Sequence, residues 1–210
     1  MTVVEGPVEI PQADTGKPDR RTQILDAALF VFARDGFGAA RTDDISKAAG
    51  TAKGTLYTYF SSKEEMFEEA VRSRLVPLVE HVQRVQEKFQ GPAEDLLKWQ
   101  ITFLYERLVK TDLREIMRMM IAEGHRFPRL LRFYHETVVN RGVETTMRTL
   151  QYGIERGEFR ADLDASAIKI IMAPTFFAAI WKMTFEEFAP LDLDKHLATH
   201  LDLILRSVKA

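Results

Sequence analysis

In the stretch TAKGTLYTYFSSKEEMF, residues 51–67, a short helical segment sets Lys53, Gly54, Thr55, Tyr57 and Tyr59 on its polar side, and Lys63 follows. The chemistry these residues share is oxyanion recognition. The hydroxyls of Thr55, Tyr57 and Tyr59 can donate to phosphate oxygens. Lys53 reaches either a phosphate or a guanine edge in a major groove. Gly54 withholds a side chain at the helix N-terminus, where free amides attract an anion and a backbone can come close. Lys63 opens the next helix, where its charge opposes the helix dipole; a neighbouring phosphate would explain a cation there. From Ile45 to Lys63 there is no acid, whereas Lys47, Lys53 and Lys63 are all cationic. A solvated helix whose tyrosines cover a core does not need that set. A helix lying along a nucleic-acid backbone does.

The elements that must position these residues read as helices. Residues 1–18 hold three prolines and two glycines with little periodicity and read as a flexible arm. From Arg20, apolar residues recur at three- and four-residue steps (Ile24, Ala27, Ala28, Val31, Phe32) until Gly36 and Gly38 stop the helix. Thr42 is expected to cap a short helix to Ala49, with Asp43 and Asp44 at its positive end. Gly50 makes the turn, and Thr51 is expected to cap the helix that runs to about Phe60. Ser62 with Glu65 forms a capping box for a fourth helix, kinked at Pro77. Two short helices joined at Gly50 make a helix-turn-helix, in which Ile45, Ala48, Ala49, Leu56 and Phe60 pack on the first helix. Further helices are expected at about 92–110, 112–124, 128–156, 164–187 and 192–208, separated by glycine and proline breaks. No alternating strand pattern and no internal repeat is visible, so the chain reads as all-α.

Composition narrows the function classes. The 210-residue chain is 46% hydrophobic and 29% charged, the make-up of an ordinary globular protein large enough for a sizeable core. It has no cysteine, which excludes disulfides, thiolate metal sites and a cysteine nucleophile. No uninterrupted apolar run reaches the ~18 residues of a membrane span, and no signal peptide is visible, so a cytoplasmic protein without membrane association is expected. The net charge of −2 argues against wholesale binding to nucleic acid but leaves room for a local basic patch. The five histidines (81, 125, 135, 196, 200) form no catalytic signature, so no enzyme and no cofactor is expected. A small-molecule carrier or an interaction module would not explain Gly54 and the acid-free stretch.

The segment RTDDISKAAGTAKGTLYTYFSSKEEMF resembles the TetR family of bacterial transcriptional repressors. The signature covers residues 20–67; Thr42, Ile45, Ala49-Gly50, Gly54, Tyr57, Phe60 and Lys63-Glu64 fall in register. The resemblance implies a DNA-binding domain at 19–65 and a helical ligand-binding and dimerisation domain at 66–210. It implies a homodimer bound to double-stranded DNA at a palindromic operator, with an interface built from the last two helices and release by a small, mainly apolar molecule. Carried over by position, Thr42, Tyr57, Tyr59 and Lys63 contact phosphates, and Lys53, Gly54 and Thr55 lie closest to base edges. Some members place a base-reading basic residue where this chain has Asp43; here Arg41 would compensate. Arg20 and Arg21 would reach the backbone or minor groove. The stretch AEGHRFPRLLRFYHE, residues 122–136, is similar to one in a subgroup that includes efflux-pump regulators.

Large soft residues crowd the C-terminal part. Any one of them is expected to be core, but together they suit an effector pocket between helices. The pocket lining is expected from Trp99, Phe103, Met120, His125, Phe127, Phe133, Met147, Phe177 and Trp181. Asp192, His196 and His200 follow one another at four-residue steps, a spacing that permits metal binding. With no further Cys or His partner, a dimer contact or a solvated face is expected there instead, and no metal.

Overall fold

The computed structural model describes residues 19–210; the expected arm at 1–18 lies outside them. The described residues fold into ten α-helices. α1 is Arg20–Asp35, α2 Thr42–Ala48, α3 Lys53–Tyr59, α4 Lys63–Lys88 and α5 Ala93–Leu104. α6 is Leu113–Glu123, α7 Pro128–Tyr134, α8 Asn140–Glu155, α9 Ala165–Thr184 and α10 Leu193–Val208. Among the described residues the only β pairing is an isolated bridge, Phe159 to Lys209, which pins the chain end to the loop after α8.

Local chemistry explains most boundaries. The carboxylates of Asp19, Asp164 and Asp192 accept backbone N–H groups at the starts of α1, α9 and α10. α1 ends where Gly36 takes φ 79°, and the turn between α2 and α3 needs φ 60° at Gly50. Ser62 accepts the Glu65 amide at 3.1 Å, while the Glu65 carboxylate accepts from both the amide and the hydroxyl of Ser61 at 2.6 Å. The capping box is therefore shifted by one residue on its return arm. Two expected caps are not used. The residues preceding α2 and α3 are Arg41 and Ala52, and neither makes a side-chain cap, so Thr42 and Thr51 are not N-caps. The expected continuous helices at 92–110 and 128–156 contain π turns at Tyr105–Val109 and His135–Val139.

Two cores form, and α6 is the wall between them. In the first, Ile24, Ala28 and Phe32 of α1 meet Ile45, Leu56, Phe60, Met66 and Phe67. Ile116, Met119 and Met120 of α6 and Leu130 of α7 complete that core. In the second, Ile101 and Tyr105 pack with Leu150, Ile168, Ile171 and Ile204, and Met117 enters from the other side of α6. The sequence boundary at 65/66 is thus not a packing boundary, because α4 and α6 belong to the N-terminal core as well.

α9 is apolar all round. Among the described residues it alone is long and apolar enough, by length and composition, to cross a membrane. It carries Lys169 and Lys182, and Ile168, Ile171, Met172, Ala178 and Ala179 are buried in the second core. Its opposite side leaves Ile170, Phe176, Phe177 and Ile180 exposed.

Candidate nucleic-acid interface and its link to the C-terminal helices

α1, α2 and α3 bury one face each, and the packing leaves a single polar strip on the outside. Leu56 and Phe60 face the core, which turns Lys53, Gly54, Tyr57 and Tyr59 outward on α3. Thr55 and Thr42 are half-buried beside them and Arg41 is exposed. A Cβ built on Gly54 meets no atom within 4 Å, so packing inside this chain gives no reason for a glycine there. Two contacts join α2 to α3 along the strip. Lys53 Nζ pairs with Asp43 Oδ1 at 2.9 Å, and Thr42 Oγ1 lies 3.4 Å from the Tyr57 hydroxyl. Hydrogen bonding to Lys53 holds the Asp43 carboxyl below its ordinary range and raises the Lys53 ammonium in return.

Lys63 is placed differently from the expectation. Its ammonium donates to the carbonyls of Phe37, Gly38 and Ala40 at 2.7, 3.3 and 3.0 Å and lies 4.7 Å from the centre of the Phe37 ring. A lysine has three N–H donors, and all three point into the loop between α1 and α2. The loop carbonyls, rather than a phosphate, explain a cation at the start of α4. Arg21 is likewise engaged within the chain, pairing with Glu69 at 2.5 Å and lying over the Phe60 ring.

The same loop is gripped from the C-terminal side. Glu123, the last residue of α6, accepts the Gly38 amide at 2.8 Å. Gly36 takes φ 79°, which requires glycine, and an added Cβ would stand 2.0 Å from a Glu123 carboxylate oxygen and push that side chain aside. The Phe127 ring meets the Phe37 ring edge to face at 4.7 Å. Arg118 of α6 donates to the Ala33 carbonyl at the end of α1, and Arg129 pairs with Glu68 at 3.5 Å. The stretch 122–136 is thus the joint between the two parts of the molecule.

The nine expected pocket residues do not converge. Trp99 and Phe103 stack at 5.3 Å, with the His81 ring 5.8 and 5.2 Å from them. Met120, Phe127 and Phe133 belong to the N-terminal core, and Phe133 lies under the Arg72 guanidinium. His125 is exposed, Met147 packs on the second core, Phe177 is half-exposed on the outer side of α9, and Trp181 donates to the Ala189 carbonyl at 2.6 Å. Aromatics and methionines at helical spacing serve whichever core their helix faces. Of the nine, Met120 lines an apolar groove of ≈ 640 Å³, together with Met117, Ile121, Leu131, Tyr134 and Val139 and with Arg132 and His135.

Three residues have roles in the structure that differ from what their sequence positions suggest. Asp43 was set aside for its sign, although its partner Lys53 is what gives it a place on the strip. Glu123, with His125 and Arg126, reads from the sequence as a group that could orient a polar ligand or form a surface turn; instead it accepts the Gly38 amide. His81 sits among Leu78 and Val82 on the apolar face of α4, and a histidine on such a face was the available signal. Its Nε2 is buried without a hydrogen-bond partner, as is Gln86 Oε1 on the same helix. Burial and the nearby Arg84 and Arg107 lower the His81 pKa, which keeps the ring neutral. The histidines of α10 are structural. His200 is buried; its Nε2 meets the Ile171 carbonyl at 2.8 Å, and Nδ1 meets the Tyr105 hydroxyl at 3.2 Å. A nitrogen facing a carbonyl must carry the proton, so Nδ1 accepts from Tyr105. Burial pushes the Tyr105 pKa up to about 12, so it remains a donor. His196 Nε2 meets the Pro174 carbonyl at 3.2 Å. Asp192 caps α10, and among the described residues no group of three metal-ligating side chains gathers. The expected solvated face or dimer contact is therefore wrong for His200.

Residues 24–70 match the profile described as bacterial regulatory proteins, tetR family, and residues 90–195 match the tetracyclin repressor-like C-terminal domain. The chain is also 30% identical over 181 residues to the HTH-type transcriptional repressor KstR2 of Rhodococcus jostii strain RHA1, covering 81% of this chain and 84% of that protein. The protein belongs to the TetR family. Solved TetR-type folds superpose closely. The fatty acid degradation regulator FadR from Bacillus halodurans gives a TM-score of 0.76 at 24% identity, covering 91% of this chain and 97% of that one. FadR from Bacillus subtilis in complex with stearoyl-CoA gives 0.69 at 22% identity, covering 89% and 98%. As a TetR-family member the chain is a ligand-responsive DNA-binding transcriptional regulator and not an enzyme.

Proposed function

We propose that the protein is a homodimeric repressor that holds a palindromic operator and is released from it by a small, mainly apolar effector. The observation that carries the DNA side is the bare Gly54 between exposed Lys53 and Tyr57, an approach route for a phosphate backbone with no internal use. Arg41, Thr42, Lys53, Thr55, Tyr57 and Tyr59 surround it as the contact set. In a two-fold dimer the two α3 helices would enter successive major grooves about 34–36 Å apart.

Two features support an effector site in the C-terminal part. The His81–Trp99–Phe103 stack lies where buried polar atoms on α4 lack partners. Such orphans cost free energy unless a ligand group meets them. The effector is therefore mainly apolar but carries at least one hydrogen-bonding group. The stearoyl-CoA bound by the Bacillus subtilis FadR has that division of chemistry. Apolar and amphipathic compounds, long-chain acyl-CoA among them, are screened by emission of Trp99 and Trp181, the two tryptophans of the chain. Hits are then titrated into the complex with DNA selected from a random library. Because coupling is reciprocal, an effector that releases DNA binds the free protein more tightly by the same factor. Hits that shift emission yet leave DNA affinity unchanged would overturn the effector assignment. A protein that selects no duplex over random sequence would overturn the operator assignment.

A further inference from the structure

The carboxylate of Asp43 stands on the strip that the proposed function turns toward DNA, in the first turn of α2, where the helix dipole favours an acid. Its side chain is 56% exposed and that of Lys53 is 50% exposed. The helix start explains an acid at this position, but an exposed ion pair contributes little to stability, so the pairing with Lys53 is not needed for folding. An unpaired carboxylate would repel the phosphates. Joined to Lys53 at 2.9 Å, with Lys47 and Arg41 also close by, Asp43 adds no net negative charge to the surface. The contact between Thr42 and Tyr57 runs beside the pair, and Gly54 next to Lys53 leaves room for close approach. The pair is therefore joined across α2 and α3 and open to solvent on the outer side of the strip.

We infer that Asp43 and Lys53 act as one reading unit that matches a single G·C pair in one orientation. A carboxylate only accepts, and the base donors in the major groove are cytosine N4 and adenine N6. A lysine only donates, and guanine offers it two adjacent acceptors, N7 and O6. Across a G·C pair the guanine acceptors lie beside the cytosine donor, so Lys53 takes the guanine while Asp43 takes the cytosine. An A·T pair offers only one acceptor on either side of its donor and is the poorer match. Asp43 also rejects guanine and thymine on its own side, because acceptor would face acceptor. The residue that sets specificity here is thus an acid held by a lysine.

The inference rests on the DNA-reading assignment above, and one selection experiment separates the two. Full-length wild type, Asp43→Asn, Asp43→Ala, Lys53→Met and the double variant Asp43→Ala/Lys53→Met are each used to select from a randomised duplex library. Wild type should enrich a two-fold-symmetric site with a fixed G·C pair in each half. Asp43→Ala and Lys53→Met should each reduce the preference at that one pair roughly tenfold, with the double variant no worse than the weaker single. Asp43→Ala frees Lys53 for a phosphate, so binding to random duplex should strengthen and its salt slope steepen by about one. Asp43→Asn keeps the shape and guards against a folding defect, which melting curves would show. If the variants keep the wild-type base preferences, or lose them evenly across the site, or if the affected pair is A·T, the reading unit is wrong. If wild type enriches nothing, the DNA-reading assignment has failed instead.

Discussion

Lys63 ties the start of α4 to the loop between α1 and α2 through three backbone carbonyls. Its three donors satisfy carbonyls that would otherwise be partly buried without partners. Lys63→Ala should lower stability by about 2 kcal/mol, the scale of hydrogen bonds to a charged donor. The loss should appear as a lower Tm, with the salt slope of DNA binding changed by clearly less than one. Gly54 has the opposite character. A Cβ there meets nothing within 4 Å, and leucine is the better helix former by up to ~1 kcal/mol. Gly54→Leu should keep or raise the Tm and reduce DNA affinity about a hundredfold or more, as overlap with the backbone costs several kcal/mol; a fallen Tm would give this glycine a structural role. His200 provides a pH signature. Burial lowers its pKa from the ordinary 6.5. Below about pH 6.5 the unfolded chain takes up a proton that the folded chain refuses, so stability is lost as the pH falls through that window. The loss from one such histidine is at most about 1.4 kcal/mol per pH unit. Denaturant titrations at pH 7 and 5.5 should show a drop that His200→Gln reduces.

At the scale of elements, α6 is the helix shared by the two cores. Ile116, Met119 and Met120 face the reading-head core, Met117 faces the other, and Glu123 at its end holds the loop that Lys63 grips from the far side. A shift of α6 cannot leave that loop in place. Glu123→Ala should keep the affinity for effector within about twofold while weakening effector-driven release of DNA by about 1 kcal/mol, within the range of residues along a coupling network. Paired titrations of effector with and without DNA measure this. These joints explain what was legible in the sequence and what was not. Helices, breaks and the outward set Lys53, Gly54, Tyr57 and Tyr59 follow from local periodicity and from glycine and proline chemistry. The π turns at 105–109 and 135–139 insert single residues without disturbing the apolar pattern, so periodicity does not reveal them. Phe127 and Phe133 read as pocket residues because composition cannot say which of two cores a helix faces. Asp43 and Lys63 take their meaning from partners 10 and 23–26 residues away, and that is tertiary information.

At the scale of the whole molecule, the outer face of α9 decides whether one chain is complete. Ile170, Phe176, Phe177 and Ile180 are 69%, 42%, 50% and 43% exposed, and Leu203 of α10 adds 62%. Such a patch on one side of a helix pair is unusual for a monomer. A two-fold axis beside α9 and α10 would cover it with its own copy, and closed two-fold dimers are the commonest oligomers. The same axis would set two α3 helices at the spacing of successive major grooves, so one contact serves both assembly and DNA reading. Light scattering at micromolar concentration should give twice the 24.1 kDa chain mass. Phe177→Glu buries a charge in the joined state but is solvated in the separate chain, since Phe177 is half-exposed and outside both sets of fully buried residues. The variant should sediment as a folded monomer with the helix content of wild type. Its affinity for a full two-half operator should fall to that for a single half-site, a loss of about a thousandfold or more for binding that depends on two linked heads. Two results would contradict this arrangement: wild type that remains monomeric at those concentrations, or a monomeric variant that still binds the full operator as tightly as wild type.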